Sequence, residues 1–311
     1  MPTAYVTHPE CLNHFMGSGH PECPERLHAI EDRLVEHGLL DLLRYVKAPQ
    51  VSREQLERVH HPAYLDQVEQ ASPREGLKMF DVDAVMCPHT LEAARYSAGA
   101  VVAAVDWVLE GRVDNAFCAI RPPGHHATQG RAMGFCFFNN IAVGAAHALA
   151  AHGLARVAIL DFDVHHGNGT EAIFRDDDRV LFCSSYRHPF YPHAPVVTDH
   201  PRIIHSPLVP GNARAQFRAA LSERWLPAVQ AFQPQLLLLS AGFDAHREDD
   251  MGGLDFTDED YQWATLQIME AAERCCHGRI VSVLEGGYQL PALARSVERH
   301  LRALMSVQHQ N

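Results

Sequence analysis

The stretch RVAILDFDVHHGNG, residues 156–169, gives the clearest indication of the fold. Its apolar first half is typical of a strand buried on both faces, and carboxylates and imidazoles follow it at once. From about Asn115 onward, similar short apolar runs alternate with longer amphipathic segments, as a parallel sheet with crossover helices requires. We therefore predict an α/β fold in which a mostly parallel central sheet is flanked by helices, with the active site at the carboxyl ends of the strands.

The same periodicity predicts the element boundaries. Strands are expected at residues 115–120, 155–162, 179–184, 235–241 and 279–284, and helices between them at 139–152, 213–232, 257–275 and 290–305. The less regular N-terminal third should contain helices at 24–37, 53–59, 62–71 and 88–109. No internal repeat or Ser/Gly-rich linker divides the chain, so we predict one domain over residues 1–311 with its core at about 19–305.

Composition and charge narrow the class of protein. Hydrophobic residues make up 47% and charged residues 21% of the chain, which is ordinary for a globular protein. A formal net charge of -12 repels phosphate backbones and argues against a nucleic-acid partner. The eight cysteines lack CxxC spacing and are interpreted as reduced thiols. Because neither a secretory signal nor a membrane-length apolar stretch is found, we expect a cytoplasmic protein without a membrane partner, and a homo-oligomer stays open.

Polar clusters follow four of the predicted strands, where ligands bind in an open parallel sheet. In the quoted stretch, Asp161, Asp163 and His165 would share one face of an extended chain. Asp244, at the end of the run LLLLSAGFD, would lie at the same edge of the sheet. Three protein ligands of these types with an open position are the pattern of catalytic zinc. We therefore predict a Zn²⁺ site formed by Asp163, His165 and Asp244; turn carboxylates beside a core histidine are the alternative.

A third cluster, RPPGHH, supplies groups for hydrolysis. It places His125 and His126 after a stiff turn, where imidazoles can serve a metal-activated water as general base and acid. Tandem histidines need partners that set their tautomers, and Asp161 and Asn168 are the candidates. A charged partner should raise the pKa of one histidine, while a neutral amide leaves the pKa of the other nearer its usual value.

The fourth cluster, EGGY, ends at Tyr288. Its two glycines allow a tight turn that can bring the Tyr288 hydroxyl over the metal, where it would donate to the developing oxyanion. Taken alone, this motif is a common turn, and tandem histidines can simply cap a loop. Their occurrence together at strand ends favours the functional interpretation.

In their order along the chain, RPPGHH, DFDVHHGNG, SAGFD and EGGY resemble the clusters of the zinc-dependent histone deacetylase and acetylpolyamine amidohydrolase family, which has the arginase/deacetylase fold. The resemblance extends to GHPECPERL at 19–27, HHPAY at 60–64 and GFCFFNN at 134–140, and HHGNG is more similar to the class II and bacterial branch. It implies the zinc ligands and hydrolytic groups already named. The implied activity is removal of an acetyl or other short acyl group from a lysine side chain or a related amine.

The resemblance also implies features that spacing does not predict. One is a structural potassium ion, bound by oxygens of Asp161, Asp163, His165, Ser184 and Ser185. Another is an apolar tunnel for the substrate stem, walled by Gly134, Phe135 and an aromatic ring from Phe190 or Tyr191. The chain departs from the family after PheTyrPro, where glycine is usual, because it reads YPHAPVV from Tyr191.

Three rival functions fit parts of the sequence. A ureohydrolase of the same fold would need an AspAlaHisxAsp pattern, which is missing, and a catalytically silent acetyl-ligand binder would not need His125, His126 and Tyr288. An acetylpolyamine amidohydrolase tends to have an acidic gatekeeper several residues after the last zinc aspartate, where this chain has Met251. That favours acyl-lysine, although Glu248, Asp249 and Asp250 lie alongside. Further histidines are expected at the surface: His188, His193, His200 and His205.

Overall fold

The computed structural model describes residues 2–193, 195–196 and 199–306. Its strands, in chain order, are β1 (Thr3–Thr7), β2 (Arg44–Lys47), β3 (Lys78–Asp81), β4 (Ala84–Met86), β5 (Asn115–Cys118), β6 (Val157–Asp161), β7 (Val180–Arg187), β8 (Ile203–Leu208), β9 (Leu237–Ala241) and β10 (Ile280–Leu284). Its α-helices are α1 (Glu25–Glu36), α2 (Arg53–Glu57), α3 (Pro62–Ala71), α4 (Thr90–Leu109), α5 (Asn140–Ala151), α6 (Asn168–Phe174), α7 (Ala213–Ala220), α8 (Leu226–Phe232), α9 (Asp258–Cys276) and α10 (Leu290–Ser306).

Eight of these strands form one sheet in the order β2-β1-β5-β10-β9-β6-β7-β8, and all neighbours are parallel. The strands β3 and β4 form a separate antiparallel hairpin. Because parallel neighbours point the same way, the carboxyl ends of the adjacent strands β5, β10, β9 and β6 meet at one edge of the sheet. All four polar clusters follow these strands.

Helices cover both faces of the sheet. In β5, the Phe117 ring lies 5.6 Å from the His300 ring of α10, whereas the thiol of the next residue, Cys118, donates to the Ala100 carbonyl of α4. This alternation is expected when both faces of a strand are buried. Every residue of β6, β9 and β10 is buried accordingly. The predicted α/β fold, with a parallel central sheet flanked by helices in a single domain, is confirmed.

All the strands and helices that the periodicity predicted occur, with small differences at their ends. The helix predicted at 213–232 is interrupted, because a π-helical turn, Leu221–Trp225, separates α7 from α8. The strand predicted to end at residue 184 continues to Arg187, so Ser184 and Ser185 both lie within β7.

The pattern did not predict β1, β2, β8, the β3–β4 hairpin or α6. The strand β8 contains Pro207, which reads as a strand breaker but is tolerated here because β8 is an edge strand. The helix α6 begins within the sequence GNG, whose glycines disfavour a helix. In the described part of the chain, no helix combines the length and apolar character that crossing a membrane requires.

Candidate active site

Asp163, His165 and Asp244 converge at the carboxyl edge of the sheet. The Nδ1 atom of His165 lies 3.1 Å from Asp163 Oδ1 and 3.2 Å from Asp244 Oδ2. One ligand atom from each residue falls within 4.8 Å of the others, and all three residues are buried. The arrangement can therefore present two carboxylate oxygens and one imidazole nitrogen to a single cation.

The backbone that brings these side chains together is not the extended chain that we predicted. β6 ends at Asp161, and the chain bends from residue 162 onward. Two carboxylates stabilise the bend, because Asp161 Oδ1 accepts a hydrogen bond from Asp163 N at 3.2 Å and Asp163 Oδ1 accepts one from His165 N at 2.8 Å. The expectation that Asp161, Asp163 and His165 share one face of a continuing strand was wrong, although the side chains meet.

The electrostatics of the site suit a cation between these carboxylates. Burial and the neighbouring Asp163 raise the pKa of Asp244 to about 6. Burial alone would lower the pKa of His165, but the two carboxylates outweigh it and raise that pKa to about 9, as expected for an imidazolium that balances negative charge. Asp244 Oδ2 is buried without a hydrogen-bond partner among the described residues. The donor set thus fits a divalent metal ion.

Glycine allows the backbone to approach this centre. Gly286 N donates to Asp163 Oδ2 at 2.8 Å, and a Cβ at Gly286 would overlap the Asp244 and Asp163 carboxylates. The following Gly287 has a φ of 119°, which an L residue rarely adopts. The EGGY motif therefore supports the two carboxylates and turns the chain toward Tyr288.

The tandem histidines have different partners. His125 Nδ1 lies 2.9 Å from Asp161 Oδ2, and His126 Nδ1 lies 2.8 Å from Asn168 Oδ1. Their ring centroids are 4.0 Å apart, and the ring of His126 is 5.8 Å from that of His165. The structure therefore places beside the tandem histidines both partners that the sequence analysis named as candidates, one for each ring.

The surroundings of the two rings shift their pKa values in opposite directions. Burial lowers the pKa of His125, but Asp161, Asp163 and Glu285 outweigh it and raise that pKa to about 10. Burial, with the neighbouring His125 and His165, lowers the pKa of His126 well below its usual value. These shifts favour an imidazolium at His125 and a neutral imidazole at His126. The expectation that a neutral amide partner would leave the pKa of the second histidine near its usual value was wrong, because burial and two neighbouring imidazoles lower it.

Glu285 is a buried residue of the site to which the sequence analysis assigned no role. Its Oε2 atom accepts hydrogen bonds from Gly124 N at 2.8 Å and from His125 N at 3.1 Å, and its Oε1 atom lies 3.1 Å from Ser240 Oγ. Burial raises the pKa of Glu285 to about 7. The carboxyl group therefore joins the histidine loop to β9 and β10. The position of Glu285 directly after the apolar strand β10 could have indicated that it belongs to the site.

Two charged residues hold the loop that carries Tyr288. The Arg26 guanidinium donates to the carbonyls of Gly287 at 2.6 Å and Glu285 at 2.5 Å and lies 5.0 Å from the Tyr288 ring centroid. Asp249 Oδ2 accepts a hydrogen bond from Tyr288 N at 2.6 Å. Burial, with the nearby negative charge of Asp244, keeps the pKa of Tyr288 well above its usual value, so its hydroxyl stays protonated.

Aromatic rings surround these groups at the positions expected for a tunnel. Phe190 stacks on His165 with 5.4 Å between ring centroids, and Tyr191 contacts His126 edge to face at 5.2 Å. Phe135 lies 6.1 Å from the Tyr288 ring. Both aromatic candidates, Phe190 and Tyr191, therefore contact the site, where the resemblance called for one of them.

The hairpin turn before β4 ties two parts of this wall together. Asp83 Oδ1 accepts a hydrogen bond from Gly134 N at 2.9 Å, and Asp83 Oδ2 accepts one from the Tyr191 hydroxyl at 2.7 Å. No sequence motif indicated this role, because the hairpin itself was not predicted. In the unusual loop that follows Tyr191, Ala194 and Val197 lie outside the described residues.

Two of the three acidic residues near Met251, Glu248 and Asp249, make contacts with other parts of the protein. Asp249 is buried and faces the Tyr288 loop, and Glu248 pairs with Arg295 at 2.8 Å. Asp250 is exposed, whereas Met251 is half-buried. The next residue, Gly252, accepts a hydrogen bond from Arg187, whose guanidinium lies 4.2 Å from the Phe190 ring centroid. Arg187 therefore links the Met251 segment to the Phe190 ring.

The remaining expectations concern oxygens, thiols and outlying histidines. Of the residues named for the potassium ion, Asp161 pairs with Ser184 in the sheet register, and Ser185 Oγ is buried without a hydrogen-bond partner among the described residues. All eight cysteines are free thiols, as predicted.

His193 is exposed, and His188 and His200 are half-buried. The expectation of a surface position is wrong for His205, which is buried between β7 and α6.

Known proteins share this chain's sequence and architecture. Residues 20–304 match the family model described as the histone deacetylase domain. The chain is 40% identical over 278 residues to the histone deacetylase-like amidohydrolase of Pseudomonas aeruginosa, covering 87% of this chain and 73% of that protein. It is 38% identical over 328 residues to the polyamine deacetylase HDAC10 of Homo sapiens, covering 98% of this chain and 48% of the human protein. The crystal structure of the HDA15 HD domain matches with a TM-score of 0.91 and 34% identity, covering 98% of this chain and 88% of that one.

Proposed function

We propose that this chain, which belongs to the histone deacetylase family, is a zinc-dependent deacetylase. One of its relatives is named a histone deacetylase-like amidohydrolase. Its substrate would be an acetyl or other short acyl group on a lysine side chain or a related amine. The observation that carries the proposal is the convergence of Asp163, His165 and Asp244 within 4.8 Å. The proposal treats residues 1–311 as one deacetylase domain with its core at about 19–305.

The three converging residues are proposed as the zinc ligands. Two carboxylates and one imidazole match a catalytic zinc site with one open position, and the unpartnered Asp244 Oδ2 supports that assignment. Zn²⁺ bound there would act as a Lewis acid that polarises the amide carbonyl and makes water more acidic.

The two tandem histidines are proposed to divide the proton transfers. Since His126 Nδ1 bonds to the amide oxygen of Asn168, its Nδ1 carries the proton and its Nε2 is free to take one from the attacking water. The same nitrogen can then return that proton to the departing amine nitrogen as the amide C–N bond breaks. His125, kept charged by Asp161, supplies positive charge beside the reacting carbonyl.

Tyr288 is proposed to stabilise the oxyanion. Its hydroxyl stays protonated, and Arg26 and Asp249 fix the backbone on either side of it. A prepositioned donor of this kind acts in the transition state, when negative charge develops on the former carbonyl oxygen. A catalytically silent acetyl-ligand binder would have no need of this donor together with the paired histidines.

The tunnel favours an acyl-lysine over an acetylpolyamine substrate. Phe135, Phe190 and Tyr191 offer apolar surface for the methylene stem that both substrates share. A second cationic amine would gain from a carboxylate at the rim, but Met251 is neutral and Asp249 is turned into the protein. An acetylpolyamine amidohydrolase is the second candidate, since one relative is named a polyamine deacetylase.

Two further assignments are proposed, a potassium site and a cellular location. Asp161, Asp163, His165, Ser184 and Ser185 would bind a structural potassium ion, which the buried, unpartnered Ser185 Oγ supports. The eight free thiols support a cytoplasmic location.

Elemental analysis and a substrate panel together test the proposal. Purified protein should contain zinc, and a chelator should abolish turnover of an acetyl-lysine peptide until Zn²⁺ is restored. The peptide should be turned over faster than acetylputrescine. Full turnover in a zinc-free, chelated sample would overturn zinc dependence, and a strong preference for the diamine would overturn the substrate assignment alone.

A further inference from the structure

A second buried group of metal-binding side chains lies next to the candidate active site. It consists of His166, which follows the candidate ligand His165, with Glu171 of α6 and His205 of β8. The Nε2 atom of His166 is 2.6 Å from Glu171 Oε2, and the Nε2 atom of His205 is 3.1 Å from the same oxygen. The relative exposures of these residues are 1%, 5% and 3%. We call them the His166 cluster.

The hydrogen bonds at the far side of each ring allow both Nε2 atoms to bind a metal. His166 Nδ1 lies 2.9 Å from Ser184 Oγ, and His205 Nδ1 lies 2.7 Å from the Tyr186 hydroxyl. Each hydroxyl oxygen can accept a hydrogen bond from the Nδ1–H group, which leaves both Nε2 lone pairs directed at Glu171. An outer hydrogen bond that fixes the tautomer in this way is a regular feature of metal-binding histidines.

Two observations at the cluster point to a ligand. His205 Nε2 is buried and has no hydrogen-bond partner of acceptable geometry among the described residues, although Glu171 is close. Burying such a nitrogen unsatisfied is costly, and a metal ion would satisfy it. The Arg175 guanidinium contacts Oε1 of Glu171, the other carboxylate oxygen, and so leaves Oε2 facing the two imidazoles.

A second, less buried group, formed by Asp106, His147 and His152, cannot free both of its histidine Nε2 atoms for a metal in the same way. Asp106 Oδ1 lies 2.7 Å from the Nε2 atoms of both His147 and His152. However, an Arg58 guanidinium nitrogen lies 3.0 Å from His147 Nδ1, and a guanidinium can only donate. His147 Nδ1 must therefore hold a lone pair, so its proton sits on Nε2, the atom that a metal would need.

We propose that His166, Glu171 and His205 bind a divalent transition-metal ion, Zn²⁺ by ligand type, at a site separate from the candidate catalytic centre. Metal–ligand bonds of about 2.0–2.1 Å in a tetrahedral site set the ligand atoms roughly 3.3 Å apart. The observed 2.6 Å and 3.1 Å require only a small expansion. The ion would join α6 to the edge strand β8, and thereby stabilise that edge of the sheet.

Metal stoichiometry and two matched substitutions test this site. Chelator-treated full-length protein would be titrated with Zn²⁺ or Co²⁺, and bound metal measured after removal of excess. His205→Gln should bind one equivalent less than the wild type, whereas His205→Glu, of similar size but carrying a ligand carboxylate, should retain it. Zn²⁺ should raise the unfolding temperature of the wild type more than that of His205→Gln, by about 5 °C.

Two additional variants keep this result independent of the proposed deacetylase. In an Asp244→Ala background, which removes a candidate catalytic ligand, one equivalent should remain and should disappear with His205→Gln. His152→Gln should leave the stoichiometry unchanged, because the Asp106 group is not expected to bind metal. Equal metal content in wild type and His205→Gln would overturn the proposal, as would loss of the second equivalent in His152→Gln alone.

Discussion

The floor of the candidate active site and the wall of the proposed tunnel are built in different ways. The floor, comprising Asp163, His165, Asp244, His125 and His126, follows directly from the ends of adjacent parallel strands, and every member is buried. Each floor residue also hydrogen-bonds or ion-pairs with another part of the site. The reacting groups are therefore held rigidly, as a preorganised site requires.

The wall, comprising Phe135, Phe190, Tyr191 and Met251, lies on loops instead. Its residues are half-buried, and long-range contacts hold them in place, such as those of Asp83 with the Tyr191 hydroxyl and with the backbone of Gly134 beside Phe135. Loops positioned by a rigid scaffold commonly determine specificity. We therefore expect floor substitutions to alter the reaction itself and wall substitutions to alter mainly the choice of substrate.

The largest expected effect is that of Asp244→Ala on the floor. Removal of this carboxylate would leave Asp163 and His165 as the only ligands of the candidate zinc site. Turnover of an acetyl-lysine peptide should fall by at least about three orders of magnitude, since the metal contributes several kcal/mol to transition-state stabilisation. The exposed neighbour provides a control, because Asp250→Ala should retain activity. Full turnover by Asp244→Ala would remove this residue from the floor.

Tyr288→Phe should have the next largest effect. Loss of one oxyanion donor usually costs about two to three orders of magnitude in kcat. Zinc content should not change, because Tyr288 is not among the proposed ligands, and this distinguishes the variant from Asp244→Ala. Tyr45→Phe, at a residue 53% exposed, is the matched control. Unchanged kcat in Tyr288→Phe would exclude the hydroxyl from the mechanism.

Asn168→Asp should change the pH profile. A carboxylate in place of the amide on His126 Nδ1 favours the imidazolium, so the pKa of His126, now held low by burial, should rise. A base with a raised pKa stays protonated, and thus inactive, up to a higher pH. The acidic limb of the kcat/KM profile should therefore move upward by about one pH unit or more.

Asn168→Ser serves as the control for that experiment. It removes the amide acceptor without adding charge, so activity should fall while the acidic limb does not move upward. If the limb stays in place in Asn168→Asp as well, His126 is not the group whose deprotonation limits activity.

The same contrast between floor and wall explains what the sequence could predict. Apolar runs mark parallel strands, and the strand ends of a parallel sheet meet, so polar clusters far apart in the chain could be assigned to one edge. Asp161 and Asn168 could be named as partners of the tandem histidines because the histidines follow β5 and these partners lie at or after the end of β6, whereas only the structure assigns Asp161 to His125 and Asn168 to His126. Even here, periodicity did not predict the bend after Asp161, which depends on hydrogen bonds to the Asp161 and Asp163 side chains.

Wall contacts left no comparable signal. Asp83 lies in a short hairpin with an exposed, irregular pattern, and its partners Gly134 and Tyr191 are distant in the chain. His205 was expected at the surface, whereas it lies in the Pro-containing edge strand β8, which no pattern predicted, and its imidazole faces Glu171. Such contacts depend on tertiary packing, which local patterns do not encode.

The smallest expected effect is that of a wall substitution, Met251→Glu. A partly exposed carboxylate near a cationic amine contributes about 1 kcal/mol, or roughly a fivefold change in preference, because water screens the pair. The kcat/KM ratio of acetylputrescine to acetyl-lysine peptide should rise by about that factor, with the zinc content unchanged. Leu266→Glu introduces the same charge at an exposed position of α9 and should leave the ratio unaltered. An equal shift in both variants would mean that the net charge of the protein, rather than the tunnel wall, discriminates between the amines, and the division between floor and wall would then fail for substrate choice.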